Sequence, residues 1–193
     1  MKHRSTRELF DYWNARRGRR NAPERSEIEP SAIRRALADT FILSFDAQAG
    51  HPFRIAGTRV CALFSRELKA ESFVRLWARD HAGSIGELLE IVAQESVGVV
   101  AGVSATGANG EPLDLELLAL PLARHGRTDT RVLGTLAPIG VPYWLGVHPI
   151  GRLALGSHRY LGTTAAPAAA RPLPLAANAR IKHGLVVYDG GQA

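Results

Sequence analysis

The stretch Leu113-Asp114-Leu115-Glu116-Leu117 alternates strictly between apolar and acidic residues. This period of two predicts a β-strand with one dry face and one wet face, as in an antiparallel sheet. Similar apolar runs at 97–104 and 131–138 predict a strand on either side of it along the chain, and the turn signal Asn109-Gly110 joins the first two as a hairpin. Residues 97–138 therefore predict three antiparallel strands.

Two shorter strands are predicted upstream of these three. The runs 41–45 and 53–56 are apolar and aromatic, and the turn-forming residues between them predict a second hairpin. Helical periodicity follows: Gly57-Thr58 opens a short helix, and Ser84 with Glu87 fits a capping box at the start of a longer one. The order is therefore strands, then helices, then strands again.

The N-terminal residues predict two flanking helices. Ser5 and Glu8 fit a capping box, and Gly18 should end the helix that follows. Pro30 suits the first position of a second helix, because the N–H that proline lacks is not used there. The whole pattern predicts an α+β fold, in which a five-stranded antiparallel sheet carries helices on one face and is preceded by N-terminal flanking helices.

Three regions are predicted along the chain. Residues 1–39 carry the flanking helices and an arginine-rich segment, residues 40–160 form the sheet domain, and residues 161–193 form a flexible tail rich in alanine and proline. The formal net charge of +6 is uneven, because residues 1–20 contribute +5 and residues 161–193 contribute +2. The rest of the chain is nearly neutral, so a general attraction to nucleic acid is not expected.

The composition excludes several classes of protein. With 46% hydrophobic and 22% charged residues among 193, the chain is typical of a globular domain rather than a disordered or fibrous one. The single cysteine, Cys61, cannot form an internal disulfide, and the sequence shows neither a signal peptide nor an apolar run of about 18 residues. We therefore expect a cytoplasmic protein with no membrane span.

Several short motifs, taken in order, resemble those of one family. They are Tyr12-Trp13, Arg16-Arg17-Gly18-Arg19, Pro23 and Arg25, Ile28-Glu29-Pro30 with Ile33, Phe53-Arg54-Ile55-Ala56-Gly57-Thr58, Leu63-Phe64, Glu67-Leu68-Lys69 and Trp77. The set covers about residues 6–160 and resembles a bacterial family, found mostly in alphaproteobacteria, whose members of roughly 200 residues consist of one PAS-like domain.

The resemblance implies a stand-alone sensory or protein-interaction module in signal transduction. PAS domains hold small ligands between sheet and helices, or dimerise through the outer sheet face and flanking helices. The implied partners are therefore a signalling protein and a second copy of the chain, bound through the N-terminal helix and the outer sheet face. The candidate ligand-pocket residues, each also a natural core residue, are Phe41, Leu43, Phe45, Phe64, Leu76, Trp77, Leu88, Leu89, Val92, Leu115 and Leu117.

No cofactor is identified from the residues, and flavin, haem and metal are not expected. Cys61 follows the second strand, whereas the reactive cysteine of flavin-binding PAS light sensors lies on a later helix, so we expect a buried, inert thiol. Haem-binding members supply a histidine from the long helix before the third strand, and residues 84–96 contain none. The seven histidines show no metal-ligand spacing.

The strongest local charge signal is the arginine run, defined as Arg16, Arg17, Arg19 and Arg20. Its guanidinium groups either hold a phosphate or carboxylate through paired hydrogen bonds, or are solvated and stabilise the end of the helix.

Two functional hypotheses follow from these patterns. The leading hypothesis is a signalling module that binds a partner protein and is gated by a small ligand. The alternative is an anion-responsive regulator that binds a nucleotide second messenger or nucleic acid through the arginine run.

Asp114 and Glu116 are best explained as a solvated strand edge. We expect no enzymatic activity, because the sequence contains no nucleophile-elbow or phosphate-loop motif.

Overall fold

The structure, a computed structural model, describes residues 1–125, 129–161, 179–182 and 185–188. The α-helices are α1 (Arg4–Arg17), α2 (Thr58–Leu63) and α3 (Arg79–Glu95). The strands are β1 (Thr40–Ser44), β2 (Phe53–Ala56), β3 (Gly98–Thr106), β4 (Pro112–His125), β5 (Asp129–Pro138), β6 (Ala154–Leu161), β7 (Ala179–Lys182) and β8 (Leu185–Tyr188). Short 3₁₀ helices lie at Arg25–Glu27, Pro30–Ile33, Leu37–Asp39 and Val74–Leu76. Among the described residues, no helix has the length and hydrophobicity needed to cross a membrane.

The chain forms two units. Met1–Leu161 contains α1 to α3 and β1 to β6. In Gly162–Ala193, β7 and β8 pair as an antiparallel hairpin. The flexible tail that the sequence predicts at 161–193 lies largely outside the described residues.

Six strands form one antiparallel sheet in the order β2-β1-β5-β4-β3-β6. The predicted α+β class is confirmed, but the predicted count of five strands is wrong, because β6 adds an edge strand along β3. The middle of β6, at Gly156, Ser157 and His158, is exposed and lacks the apolar alternation of a half-buried strand. Backbone pairing with β3, rather than side-chain burial, places this segment in the sheet.

One face of the sheet, the inner face, carries the main core together with α2 and α3. The buried residues of α3 recur at helical spacing: Ile85, Leu88, Leu89 and Val92. They pack with the dry sides of the strands in one continuous apolar cluster. The spacing of these four residues in the sequence indicates the same buried face. The helix begins at Arg79, however, so the capping box predicted at Ser84 and Glu87 lies inside it.

The opposite, outer face of the sheet is covered by α1. Leu9 and Trp13 of this helix are buried, and the indole N–H of Trp13 donates a 2.8 Å hydrogen bond to the carbonyl oxygen of Pro121. The residues of the sheet that pack with them are Ile42, Val100, Leu118, Leu120, Leu122 and Leu133. The helices between β2 and β3 thus lie on one face, while the flanking helix α1 covers the other, because the central strands are apolar on both faces and both must be shielded from water.

Two predictions for the N-terminal helices need correction. The residues after Pro30 form 3₁₀ turns instead of a helix, because Ile33 and Ala36 accept successive short-range backbone bonds and Thr40 caps Ala36 with its hydroxyl at 2.8 Å. The N-cap of α1 is His3, whose Nδ1 accepts the N–H of Ser5 at 3.2 Å. The predicted end of α1 at Gly18, with φ of 54°, is confirmed.

Candidate ligand and partner sites

The inner face contains most of the candidate ligand-pocket residues. Those within its core cluster are Phe41, Leu43, Phe64, Leu76, Trp77, Leu88, Leu89, Val92, Leu115 and Leu117. Aromatic rings run through this cluster, with centroids 5.4 Å apart for Phe41 and Phe73 and 5.7 Å apart for Phe73 and Trp77. The residues therefore contact one another as a packed core.

One polar atom in this core lacks a partner. The indole Nε1 of Trp77 is buried, and it makes no hydrogen bond to any residue that the structure describes. An unsatisfied buried donor costs about 1–3 kcal/mol, so such groups are usually met by ordered water or by a ligand atom. The indole N–H of Trp77 is therefore a buried donor that is available for a hydrogen bond to a ligand atom or an ordered water.

Phe45 lies apart from the other ligand-pocket candidates. It is half-buried at the end of β1, and its ring stacks on His51 with centroids 5.0 Å apart. It lines a surface pocket of about 620 Å³ beside Gln94 and Leu122. Burial lowers the pKa of His51, which keeps the imidazole neutral where its Nδ1 accepts the N–H of Asp46 at 3.3 Å.

Two members of the arginine run have carboxylate partners in the connector that follows α1. Arg20 forms a two-pronged pair with Glu27, at 2.9 and 2.7 Å, and Arg16 lies 3.3 Å from Glu29. The hydrogen bond between Arg20 and Glu27 raises the pKa of the arginine and lowers that of the carboxylate. This part of the run is neutralised within the chain.

The other two arginines of the run differ from each other. The guanidinium of Arg17 lies 5.2 Å from the ring centroid of Trp13, a cation–π geometry, and donates to Asn14 at 2.9 Å. Arg19 is exposed and has no side-chain partner among the described residues. The run therefore presents fewer available cations than its sequence indicates.

Two acidic side chains are buried where α1 meets the sheet. Asp39 accepts the hydroxyl of Ser5 at 2.5 Å and both Nε and Nη2 of Arg59 at 2.7 Å. Glu116 accepts the backbone N–H groups of Lys2 and His3, at 2.6 and 2.9 Å. Neither contact is indicated by a local sequence pattern, because the partners are far apart along the chain.

Glu116 corrects the expectation of a solvated strand edge. The side chain of Asp114 is exposed, but Glu116 is 6% exposed, because the start of α1 covers this part of β4. Burial alone would raise the pKa of Glu116, yet the hydrogen bonds from the two amides outweigh it, and the pKa lies below its ordinary value. Glu116 is therefore an anchor for α1.

Exposed apolar side chains cluster in the apolar loop, defined as residues 139–147 between β5 and β6. Its exposed members are Ile139, Val141, Tyr143 and Val147, and the side chain of Tyr143 is 87% exposed. Trp144 anchors this loop: it is buried, and its indole N–H donates to Glu111 at 2.5 Å. The loop contains glycine and proline without regular periodicity, so its aromatic pair, Tyr143 and Trp144, is the one sequence feature that indicates packing there.

The remaining nucleophilic and metal-binding residue types form no cluster in the described part of the chain. Groups of three or more histidine, cysteine or acidic residues with metal-binding geometry are not found there. Cys61 is half-buried, and burial raises the pKa of its thiol, with the Glu67 carboxylate 3.6 Å from the sulfur. A raised pKa is the opposite of what an activated thiolate needs.

Comparison with known proteins adds one match. A family model described as a PAS domain matches residues 1–137, which run from the start of the chain through α1, α2, α3 and nearly all of β5. No curated protein matches the chain. The apolar loop and β6 lie beyond the matched residues.

Proposed function

Because the chain belongs to the PAS domain family, we propose that it is a non-enzymatic signalling module that acts by binding a partner protein. The family supports a sensory or signalling role in general terms. A fold alone does not assign a mechanism, so the specific proposal must rest on surfaces of this chain.

The apolar loop is the observation that carries the proposal. It exposes an isoleucine, two valines and a tyrosine, and apolar and aromatic groups of this kind are typical of the centre of protein interfaces. Because Trp144 fixes the base of the loop, these side chains are presented from an anchored segment, and binding loses less conformational entropy. A partner protein with a complementary apolar patch is the occupant we propose.

The test compares two pairs of substitutions in the full chain. Val141→Ser/Tyr143→Ser removes exposed apolar area from the loop, whereas Leu37→Ser/Tyr160→Ser removes it from sites 37% and 44% exposed elsewhere. Proteins crosslinked in the native cells are identified and quantified by mass spectrometry. We expect the wild-type partners to fall at least fivefold in the loop variant only. Equal recovery with both variants, or no partner of the wild type, contradicts the proposal.

Self-association is measured alongside. The homodimer predicted through the N-terminal helix and outer sheet face stays a prediction. Leu9 and Trp13 already contact their own sheet, so such a dimer would have to use the half-buried Phe10 and Tyr12 of α1. Light scattering of the wild type and of both variants reports whether the chain forms a dimer and whether the apolar loop mediates it.

A ligand that gates partner binding is supported by the unpartnered indole of Trp77. We propose that a small molecule with a hydrogen-bond acceptor sits between α3 and the sheet and receives this N–H. Native mass spectrometry of the purified protein, with an absorbance scan above about 350 nm for conjugated cofactors, tests the idea. A bound molecule that is lost in Trp77→Phe supports it, and an empty wild-type protein contradicts it.

A further inference from the structure

Four cationic side chains from separate segments meet at one surface pocket of about 420 Å³, which we call the basic pocket. They are Arg25 from the connector after α1, Arg54 from β2, Lys69 from the loop after α2, and Arg131 from β5. The pocket lies on the outer-face side of the sheet, since Ile42, a member of the outer cluster, forms part of it. It is distinct from the inner core and from the apolar loop.

Two cations of the basic pocket, Arg54 and Lys69, are not neutralised by any residue that the structure describes. The side chains of Arg54 and Lys69 are exposed and form no hydrogen bond or ion pair with any described residue. Arg25 is held in place by a 3.3 Å hydrogen bond to the carbonyl oxygen of Ile28, a neutral acceptor. No carboxylate is among the described residues that line the pocket. Like charges at close range repel one another, so an anion that enters relieves an unfavourable arrangement.

The floor of the basic pocket is apolar. Ile42, Phe53 and Ile55 line it, and the side chain of Ile55 is 49% exposed. Neighbouring residues of a regular strand point to opposite faces, but Arg54 and Ile55 are both exposed, because the pairing of β1 with β2 shifts register between Ile42 and Leu43. This irregularity sets a cation beside an apolar surface.

The geometry favours a small ligand over an extended peptide strand. At Phe53 the outer edge of β2 is already bonded to the loop, through 3.0 Å to the carbonyl of Glu71 and 2.8 Å from the N–H of Ala70. A peptide therefore cannot extend the sheet at this point by strand addition. A volume of about 420 Å³ falls in the range of small-molecule sites.

We propose that the basic pocket binds a small organic anion that carries at least two negative charges, as phosphates or carboxylates, and a planar or apolar portion. The guanidinium group of Arg54 can hold an anionic group through paired hydrogen bonds, Lys69 adds a point charge, and Arg25 and Arg131 contribute further positive charge. The apolar portion covers Ile55 and Ile42. This site is independent of the proposed partner binding.

Calorimetric titration of the full chain at low salt tests the proposal. ATP and trimellitate combine a planar group with phosphates or carboxylates, whereas pyrophosphate and citrate carry charge alone. We expect one of the planar anions to bind at least tenfold more tightly than its charge-only counterpart, because it also covers the apolar floor. Which planar anion binds distinguishes phosphate from carboxylate recognition.

Matched variants identify the site. Arg54→Ala/Lys69→Ala removes two exposed cations from the basic pocket and should weaken binding at least tenfold. Arg16→Ala/Arg19→Ala removes the same charge from the arginine run and should change it less than twofold. Circular dichroism verifies that both variants fold. Absence of binding by the wild type, equal loss in both variants, or binding of a decaglutamate peptide but of no small anion would overturn the proposal.

Discussion

The arginine run and the basic pocket are both positively charged, but they differ in where their cations lie along the sequence and in how many of those cations are paired with carboxylates. The run is contiguous in sequence, and its Arg16 and Arg20 are paired with Glu29 and Glu27. The basic pocket draws its cations from four separate segments, and no carboxylate is among its described lining residues. Density of charge along a sequence is therefore a poor guide to the charge that a folded surface offers.

Electrostatics explains the difference. A charged side chain near an opposite charge on the next segment pairs with it at little entropic cost, since the loop to be closed is short. Arg54 and Lys69 of the basic pocket have no such partner among the described residues. The fold thus neutralises Arg16 and Arg20 of the run and leaves Arg54 and Lys69 of the basic pocket unpaired, which shifts support for anion binding from the first region to the second.

Arg59→Ala should give the largest effect, because it removes the partner of a fully buried charge. Asp39 is 0% exposed and would keep only the hydroxyl of Ser5. Breaking a buried ion pair on one side costs about 3 kcal/mol. We expect a loss of this size in the free energy of unfolding, measured with urea.

The control for Arg59 is Arg66→Ala. Arg66 pairs with Glu71 at 2.8 Å, but the two side chains are 52% and 39% exposed. Water screens such a pair, and its loss should cost less than about 1 kcal/mol. If the two variants lose equal stability, burial of the partner is not what makes a paired charge structural.

Glu116→Gln should give an intermediate, pH-dependent effect. The neutral amide accepts the Lys2 and His3 N–H groups more weakly than the carboxylate, so we expect a loss of about 1 kcal/mol at neutral pH. The folded-state pKa of Glu116 lies below its ordinary value of 4.5. Its contribution is therefore fully present above 4.5 and is lost as the pH falls through the folded-state value.

Urea unfolding at several pH values measures this difference between the wild type and Glu116→Gln. Hydrogen exchange of the α1 amides shows whether the loss is local to the start of the helix. Asp114→Asn, at an exposed site on the same strand, is the matched control and should leave the exchange of the α1 amides unchanged. A gap between wild type and Glu116→Gln that does not narrow in acid would contradict the anchoring role.

Much of the fold can be predicted from local sequence patterns. The alternation at Leu113–Leu117 and the apolar runs around it predict β3, β4 and β5, and the spacing of Ile85, Leu88 and Val92 predicts the buried face of α3. α3 buries one side and so leaves a helical period in the sequence, whereas strands buried on both faces, such as β5, leave a continuous apolar run. Elements held by backbone pairing or by distant side chains leave none.

The predictions that the structure corrects concern elements held by backbone pairing or by side chains distant in sequence. β6 has no buried alternation, and Ser5, which fits a capping box, instead donates its hydroxyl to Asp39, 34 positions away. The carboxylate partners of Arg16 and Arg20 could be predicted from the sequence, since Glu27 and Glu29 lie within the adjacent connector. The basic pocket was not, because nothing in the sequence places Arg25 beside Arg54.

The smallest expected effect compares Arg20→Ala with Arg54→Ala in thermal unfolding. Arg20 has a two-pronged partner in Glu27, and its loss should lower Tm slightly. Arg54 has no side-chain partner among the described residues and sits among like charges, so its removal should leave Tm unchanged or raise it. Added salt should narrow the difference between the two Tm changes, since it screens both the attraction and the repulsion.

Arg19→Ala is the control, because it removes an exposed charge of the run that has no side-chain partner among the described residues. An equal drop in Tm for Arg20→Ala and Arg54→Ala would show that both cations stabilise the fold.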